Sequence, residues 1–239
     1  AFVFAGCVKT NDKEIEAYFR SSGDSLCLYA YLHLQEQLPP EKLECLTIDK
    51  SFLIQDIERA VSTYKKRLET SYIPFSLFEE YLLPPVIEDE PLENWRERCL
   101  DKFSFLNTLD VVEVCDTINS LLSKDFSFNY GEIPARYLSW SYLDTLTKGD
   151  CYHMAKSVLY PLRTLGYPCT IDFSPCWGNT TGGHSWNVVY IEGKMIPFMG
   201  REKGVYAYDP FRIYNFENPE RMNPARYPGK VYRKTFFAN

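Results

Sequence analysis

Gly149-Asp150-Cys151-Tyr152-His153-Met154-Ala155, with Leu165-Gly166-Tyr167-Pro168 and Gly183-His184-Ser185-Trp186 downstream, is the stretch whose reading decides the fold. Asp150 is a good N-cap, because its carboxylate accepts from the unpaired N–H groups of a first helical turn, so Cys151 begins a helix. Ala155, Val158, Leu159 and Leu162 recur at helical spacing and give that helix an apolar face; Gly166 and Pro168 end it. The spacing predicts a buried central helix over 150–165 with its N-terminus aimed at a cleft. Residues 170–173 read as a strand and 174–183 as a loop rich in Gly with Pro and Asn. His184–Ile191 alternates as a second strand, followed by a turn at 192–194. Residues 195–199 and 205–208 read as further strands, and 230–237 as the last.

Upstream the pattern is helical. Helices are expected over 11–20, 26–38 (stopped by Pro39-Pro40), 52–68, 75–83 (stopped by Pro84-Pro85), 92–106, 111–122 and 140–147. Leu53, Ile57, Ala60, Val61, Tyr64 and Leu68 form the clearest stripe. The expected class is α+β: a helical N-terminal region over 11–138, then a core over 139–239 with one central helix packed on an antiparallel sheet.

Bulk properties narrow the function. The chain has 239 residues, 45% of them hydrophobic, enough to bury a core. A net charge of −6 and no long basic run exclude nucleic acid as the expected partner. Eight cysteines lie scattered with no C-x-x-C pair, which argues against a thiolate metal site and a dense disulfide framework; no metal and no cofactor are expected. Cys27, Cys99 and Cys115 sit on apolar helix faces and read as small buried hydrophobes. Residues 1–10 are apolar, then small, then Cys7, and a polar segment follows, like the end of a bacterial lipoprotein signal peptide. Cys7 is therefore the expected lipidation site. The localisation that follows is extracytoplasmic, anchored at a membrane surface in the periplasm or on the cell.

Cys151 and His184 carry the chemistry. The N–H groups and dipole at a helix start favour a thiolate at Cys151, while the Asp150 carboxylate opposes it. His184 opens a strand after a glycine loop, and Trp186 shares its face of that strand. A thiol beside an imidazole is the usual activated thiol nucleophile. Cys151, His153, Cys176 and His184 lack compact metal-ligand spacing, and Ser185 lacks a G-x-S-x-G elbow.

These residues resemble the transglutaminase-like superfamily, the papain-related Cys-His enzymes. In that family a nucleophilic Cys begins a helix, an L-G-x-P turn leads to a strand, and H-x-W opens the next strand. The resemblance covers roughly 139–200. Weaker likeness at 78–83, 90–97 and 230–235 is to transglutaminase-domain lipoproteins of gut-type Bacteroidetes. It implies a papain-like fold and a third acidic residue on the strand after the His strand, where this chain has Met199. Strand arithmetic offers a substitute. A three-residue turn at 192–194 pairs Ile191 with Met195 and puts Glu202 opposite His184; a two-residue turn puts Arg201 there instead. Asp209 is the reserve candidate. For an oxyanion hole the Cys151 backbone N–H is one donor and Trp140 a second candidate, as an upstream Trp or Gln serves in related enzymes; Trp177 is expected to wall the acyl site.

The expected function is thiol-dependent hydrolysis or acyl transfer on peptide or protein amides through a Cys151 thioester. Whether water or an amine resolves it stays open. The alternatives are a catalytically silent module of the same fold that binds peptide or glycan, and a purely helical peptide-binding scaffold. Oligomeric state is not legible in the sequence.

Overall fold

The computed structural model describes residues 13–38, 49–88, 90–129, 138–176, 182–210 and 230–237. Each helix forms where an apolar stripe follows a capping residue. In α1 (Lys13–Ser22) the buried pair is Ile15 and Phe19, one turn apart. In α2 (Ser25–Gln37) Asp24 caps the N–H groups of Leu26 and Cys27, and Cys27, Ala30, Tyr31 and Leu34 are buried. In α3 (Lys50–Leu68) Asp49 is the cap, and Lys65, Lys66 and Arg67 complement the dipole at the other end. A short helical turn, Phe75–Leu77, widens into one π turn, Phe78–Leu82. Then come α4 (Trp95–Phe103) and α5 (Val111–Ser123), the latter opened by a capping box between Asp110 and Glu113.

The two-residue strands β1 (Ser127–Phe128) and β2 (Lys148–Gly149) pair in parallel on either side of α6 (Trp140–Thr145). Next is α7 (Cys151–Thr164), buried almost all round from His153 onward. It ends in a Schellman motif: Gly166, at φ +83°, donates to Arg163 O, and Tyr167 N donates to Leu162 O. A four-stranded antiparallel sheet follows in the order β5 (Lys194–Phe198), β4 (His184–Ile191), β3 (Cys169–Ser174), β6 (Tyr232–Arg233). The last strand is shorter than the sequence pattern predicts. It is held by a bidentate Arg233–Asp172 pair at 2.7 and 2.8 Å.

The largest apolar cluster joins α4, α5, α6 and α7 to Cys169, Ile171, Val189 and Phe198 of the sheet. A second unites α1–α3 with Ile73, Phe78, Leu82, Leu83 and, from the far end of the chain, Phe237. A buried ion pair lies between α3 and α4. Arg96 Nε meets Asp56 Oδ1 at 2.8 Å, and its Nη2 donates to the carbonyls of Leu82, Leu83 and Pro84. The expected boundary at 138/139 abuts 130–137, which lie outside the described residues.

Two expectations are corrected. The β4–β5 connection is a two-residue turn, Glu192-Gly193, with both residues at positive φ (46° and 86°), so Ile191 pairs with Lys194. That is the twist-matched hairpin turn. Residues 205–208 are turn rather than strand: Tyr206 has φ +65°, and Ala207 N bonds back to Gly204 O.

Candidate active site

Asp150 does cap α7. Its Oδ1 accepts from the N–H groups of Tyr152 and His153 at 2.9 and 3.1 Å and also meets His153 Nδ1 at 2.7 Å. Those contacts, the His153 ring first, hold the Asp150 carboxyl below its usual range. Cys151 is thereby fixed at the first position of the helix, half-buried against a small cluster of Met154, Trp186, Val188, Met199 and Tyr208. Burial pushes its thiol up, and the Asp150 charge adds to that. The backbone N–H groups of Ser185, Tyr152 and Cys151 itself pull the other way without prevailing.

The Ser185 amide matters because it places the sulfur beside the start of β4, one residue past His184. The His184 ring lies 5.8 Å from the Trp186 ring and 6.4 Å from that of Tyr208. Its Nε2 is 2.7 Å from the Tyr208 hydroxyl. Burial lowers its pKa to about 4. Thiol raised and imidazole lowered, each group rests as a neutral species at pH 7. The dipole argument alone pointed toward a thiolate; desolvation outweighs it here.

Glu202 does not occupy the place expected of it. With the two-residue turn, continuing the β4–β5 ladder brings Arg201 into register with His184, but the ladder stops at Phe198. Asn119 on α5 captures the chain next, donating to Met199 O and Lys203 O and accepting from Arg201 N. Arg201, at φ +60°, turns inward to Ser157 Oγ and the carbonyls of Leu143 and Leu146. Glu202 is left exposed on the outside of that turn, and Asp209 is exposed directly after Tyr208. Met199, where the family pattern has its acid, is buried in the apolar cluster around Cys151.

Of the three candidate tryptophans, Trp186 is buried at the site. Trp140 is not there: it packs in the main core, its ring 6.0 Å from Phe103 and 5.8 Å from Tyr160, so it is a core aromatic rather than an oxyanion donor. Trp177 and Cys7 lie outside the described residues. Among the described residues no three His, Cys, Asp or Glu side chains converge to hold a metal. No helix among them is long and apolar enough to cross a membrane.

Sequence reading missed two features. One is Tyr208, a neighbour of the reserve candidate Asp209, because an aromatic in a turn gives no periodic signal. The other is an ionic cluster behind Cys151. Lys156, buried on α7, meets Glu90 at 2.8 Å and Glu88 at 3.0 Å. Glu88 also accepts from Tyr152 and Lys234, and Lys234 lies 4.6 Å over the Tyr152 ring. Burial pushes Glu88 up, but Lys156, Lys234 and Tyr152 hold it down at about 2. Residues 146 and 66 positions apart from these partners in the chain give no local pattern to read.

A central helix opening on a cysteine, packed on an antiparallel sheet one strand of which opens on a histidine, is the class this geometry defines. Residues 106–200 match the model of the transglutaminase-like superfamily, and the fold is α+β with a transglutaminase-like core. Two solved structures are similar. One is a proposed cysteine protease from Cytophaga hutchinsonii, at 17% identity and a TM-score of 0.38, with 46% of this chain and 37% of that chain covered. The other is the periplasmic domain of TgpA from Pseudomonas aeruginosa bound to ethylmercury, at 16% identity and a TM-score of 0.39, covering 64% and 54%. This chain thus spans 37% and 54% of their respective lengths. No curated protein matches the sequence.

Proposed function

We propose that this chain is a thiol-dependent acyl-transfer enzyme acting on peptide amides, with Cys151 as nucleophile and His184 as its base. One observation carries the reading: Cys151 at the start of α7 and His184 at the start of β4 both border the Trp186–Tyr208 cluster. The thiol proton passes to the imidazole as sulfur attacks the carbonyl carbon. The amide C–N bond breaks, the departing amine takes the proton from His184, and a thioester remains on Cys151. Water releases an acid; an amine acceptor gives a transamidated product. The Cys151 backbone N–H, at the open first turn of α7, is a donor available to the developing oxyanion. The helical region over 11–138 is read as an appended element and Cys7 as a lipid anchor, which would hold the enzyme outside the cytoplasm at a membrane surface.

The test compares wild type with Cys151→Ala and His184→Ala on two assays, release of peptides from a labelled protein and incorporation of a fluorescent primary amine. Either activity, lost in both variants, supports the proposal and tells hydrolysis from transamidation. The second reading, a silent module that binds peptide or glycan, is favoured by the neutral resting state of the pair and by Met199 in place of the family's acid. It predicts no turnover, and ligand affinity unchanged by Cys151→Ala.

A further inference from the structure

His153 is a buried ionisable side chain on α7 that the acyl-transfer step does not use. Only 2% of it is exposed, and its Nε2 is enclosed with no hydrogen-bond partner. The chain makes room for the ring. A methyl at Gly149 would stand 2.7 Å from His153 Cβ and 3.0 Å from Phe126 Cζ, so the glycine before the cap seats His153 there. Phe126 and Cys151 pack against the same small cluster. His153 Nδ1 lies 2.7 Å from Asp150 Oδ1, and the partner fixes the direction of that bond. Asp150 Oδ1 already accepts two backbone N–H groups, and its carboxyl is held below the usual range, so it is ionised at pH 7 and has no proton to give. Nδ1 therefore carries the proton and donates. An apolar side chain would fill the same space without leaving a buried nitrogen bare, which destabilises a fold; the Nδ1–H bond is what an imidazole adds.

We propose that His153 is a positioning residue for Cys151: its Nδ1–H ties the Asp150 carboxylate into the cap of α7 and weakens the field of that carboxylate at the neighbouring sulfur. The proposal rests on Cys151 as the nucleophile of the acyl-transfer reading. Forming a thiolate there puts a second negative charge one residue from Asp150, whose own charge already opposes it. Two backbone N–H groups and one ring N–H share the Asp150 charge on a single oxygen. Without the ring donor, more of that charge is left to act on the thiol. His153 does not touch the reacting atoms; it acts through Asp150.

The pH dependence of Cys151 alkylation by iodoacetamide, resolved by peptide mass spectrometry, gives the thiol midpoint in wild type, His153→Phe, Asp150→Asn and the double variant. Phe keeps a ring and deletes the donor; Asn keeps the N-cap and deletes the charge. Below the midpoint, Asp150→Asn should speed alkylation about tenfold, the order of effect of a neighbouring unit charge. His153→Phe should slow it about threefold, half a pKa unit, and should leave it unchanged in the Asp150→Asn background. A side chain that only fills space would shift the unfolding midpoint in both backgrounds and the thiol midpoint in neither, and that result overturns the proposal. An equal thiol shift in both backgrounds overturns it too. Wild type supplies a test that needs no buried substitution. The chain has three histidines, so nitrogen-detected NMR of imidazole-labelled protein separates them, with His33→Gln and His184→Gln assigning the other two. His153 should be protonated on Nδ1 at pH 7, and a bare Nδ1 sinks the idea. Alkylation reports on the thiol whether or not the chain turns over an amide. Turnover that survives Cys151→Ala therefore removes the acyl-transfer reading and leaves the result for His153 legible by itself.

Discussion

The rate at which Cys151 reacts with an alkylating agent, followed from pH 6 to pH 10, separates two electrostatic states of the site. An ion pair would hold the sulfur as thiolate throughout, and the rate would be flat. The structure dictates otherwise. Burial and the Asp150 carboxylate put the thiol above its ordinary 9.0, and burial puts His184 at about 4. At pH 6 a thiol with a pKa of 9 or more is ionised in at most about one molecule in a thousand, from the three-unit gap. The rate should therefore climb about tenfold per pH unit and at pH 6 lie at least about a thousandfold below its ceiling. Cys176 is exposed and also free, so the assay must resolve residues, for example by peptide mass spectrometry after timed quenching with iodoacetamide. Cys27, Cys99, Cys115 and Cys169 are buried and serve as unreactive references. A plateau between pH 6 and pH 8 at Cys151 would refute the argument, because a thiol that ionises on its own gives none.

Three further outcomes are expected. His184 has a folded-state pKa of about 4, below its ordinary 6.5, so between those values the unfolded chain binds a proton that the folded chain excludes. The contribution is complete above pH 6.5 and is lost as pH falls through 4; urea midpoints at pH 7 and pH 4.5 should converge for His184→Gln relative to wild type, and an equal gap at both pH values would contradict this. Asp56→Ala strands the Arg96 guanidinium in the interior and should cost about 3–5 kcal/mol in urea unfolding, much of it recovered in Asp56→Ala/Arg96→Met. Gly200→Ala would put a methyl 2.6 Å from Met154 O and 2.9 Å from Asn187 Oδ1, backbone and buried amide that cannot easily move; a thermal-unfolding loss of about 1–3 kcal/mol is expected.

What could be read early was whatever depends on near neighbours in the chain. The Asp150 cap, the apolar face of α7, its Gly166 stop and the bounds of β4 all follow from contacts within a few residues, and the structure places them where the pattern does. Val205 to Tyr208 misled because apolar and aromatic residues in a row look like a strand, whereas Tyr206 adopts the left-handed region that the pattern does not encode. The β4–β5 turn misled for a related reason: Glu192 at φ 46° lacks the Asn or Asp that usually marks a two-residue hairpin turn. That one-residue difference takes Glu202 out of register with His184, and the end of the ladder at Phe198 keeps Arg201 from the same place.

By itself, then, the sequence determined a buried helix beginning at Cys151 and a strand beginning at His184, because capping and periodicity act over a single turn or a single pleat. Tertiary structure alone decided that Cys151 packs against Trp186 and Tyr208, that Asn119 pulls residues 199–203 off the sheet, and that Tyr208 meets His184. It also decided the charge state of the pair, because desolvation depends on everything packed around a group and on nothing in its immediate sequence.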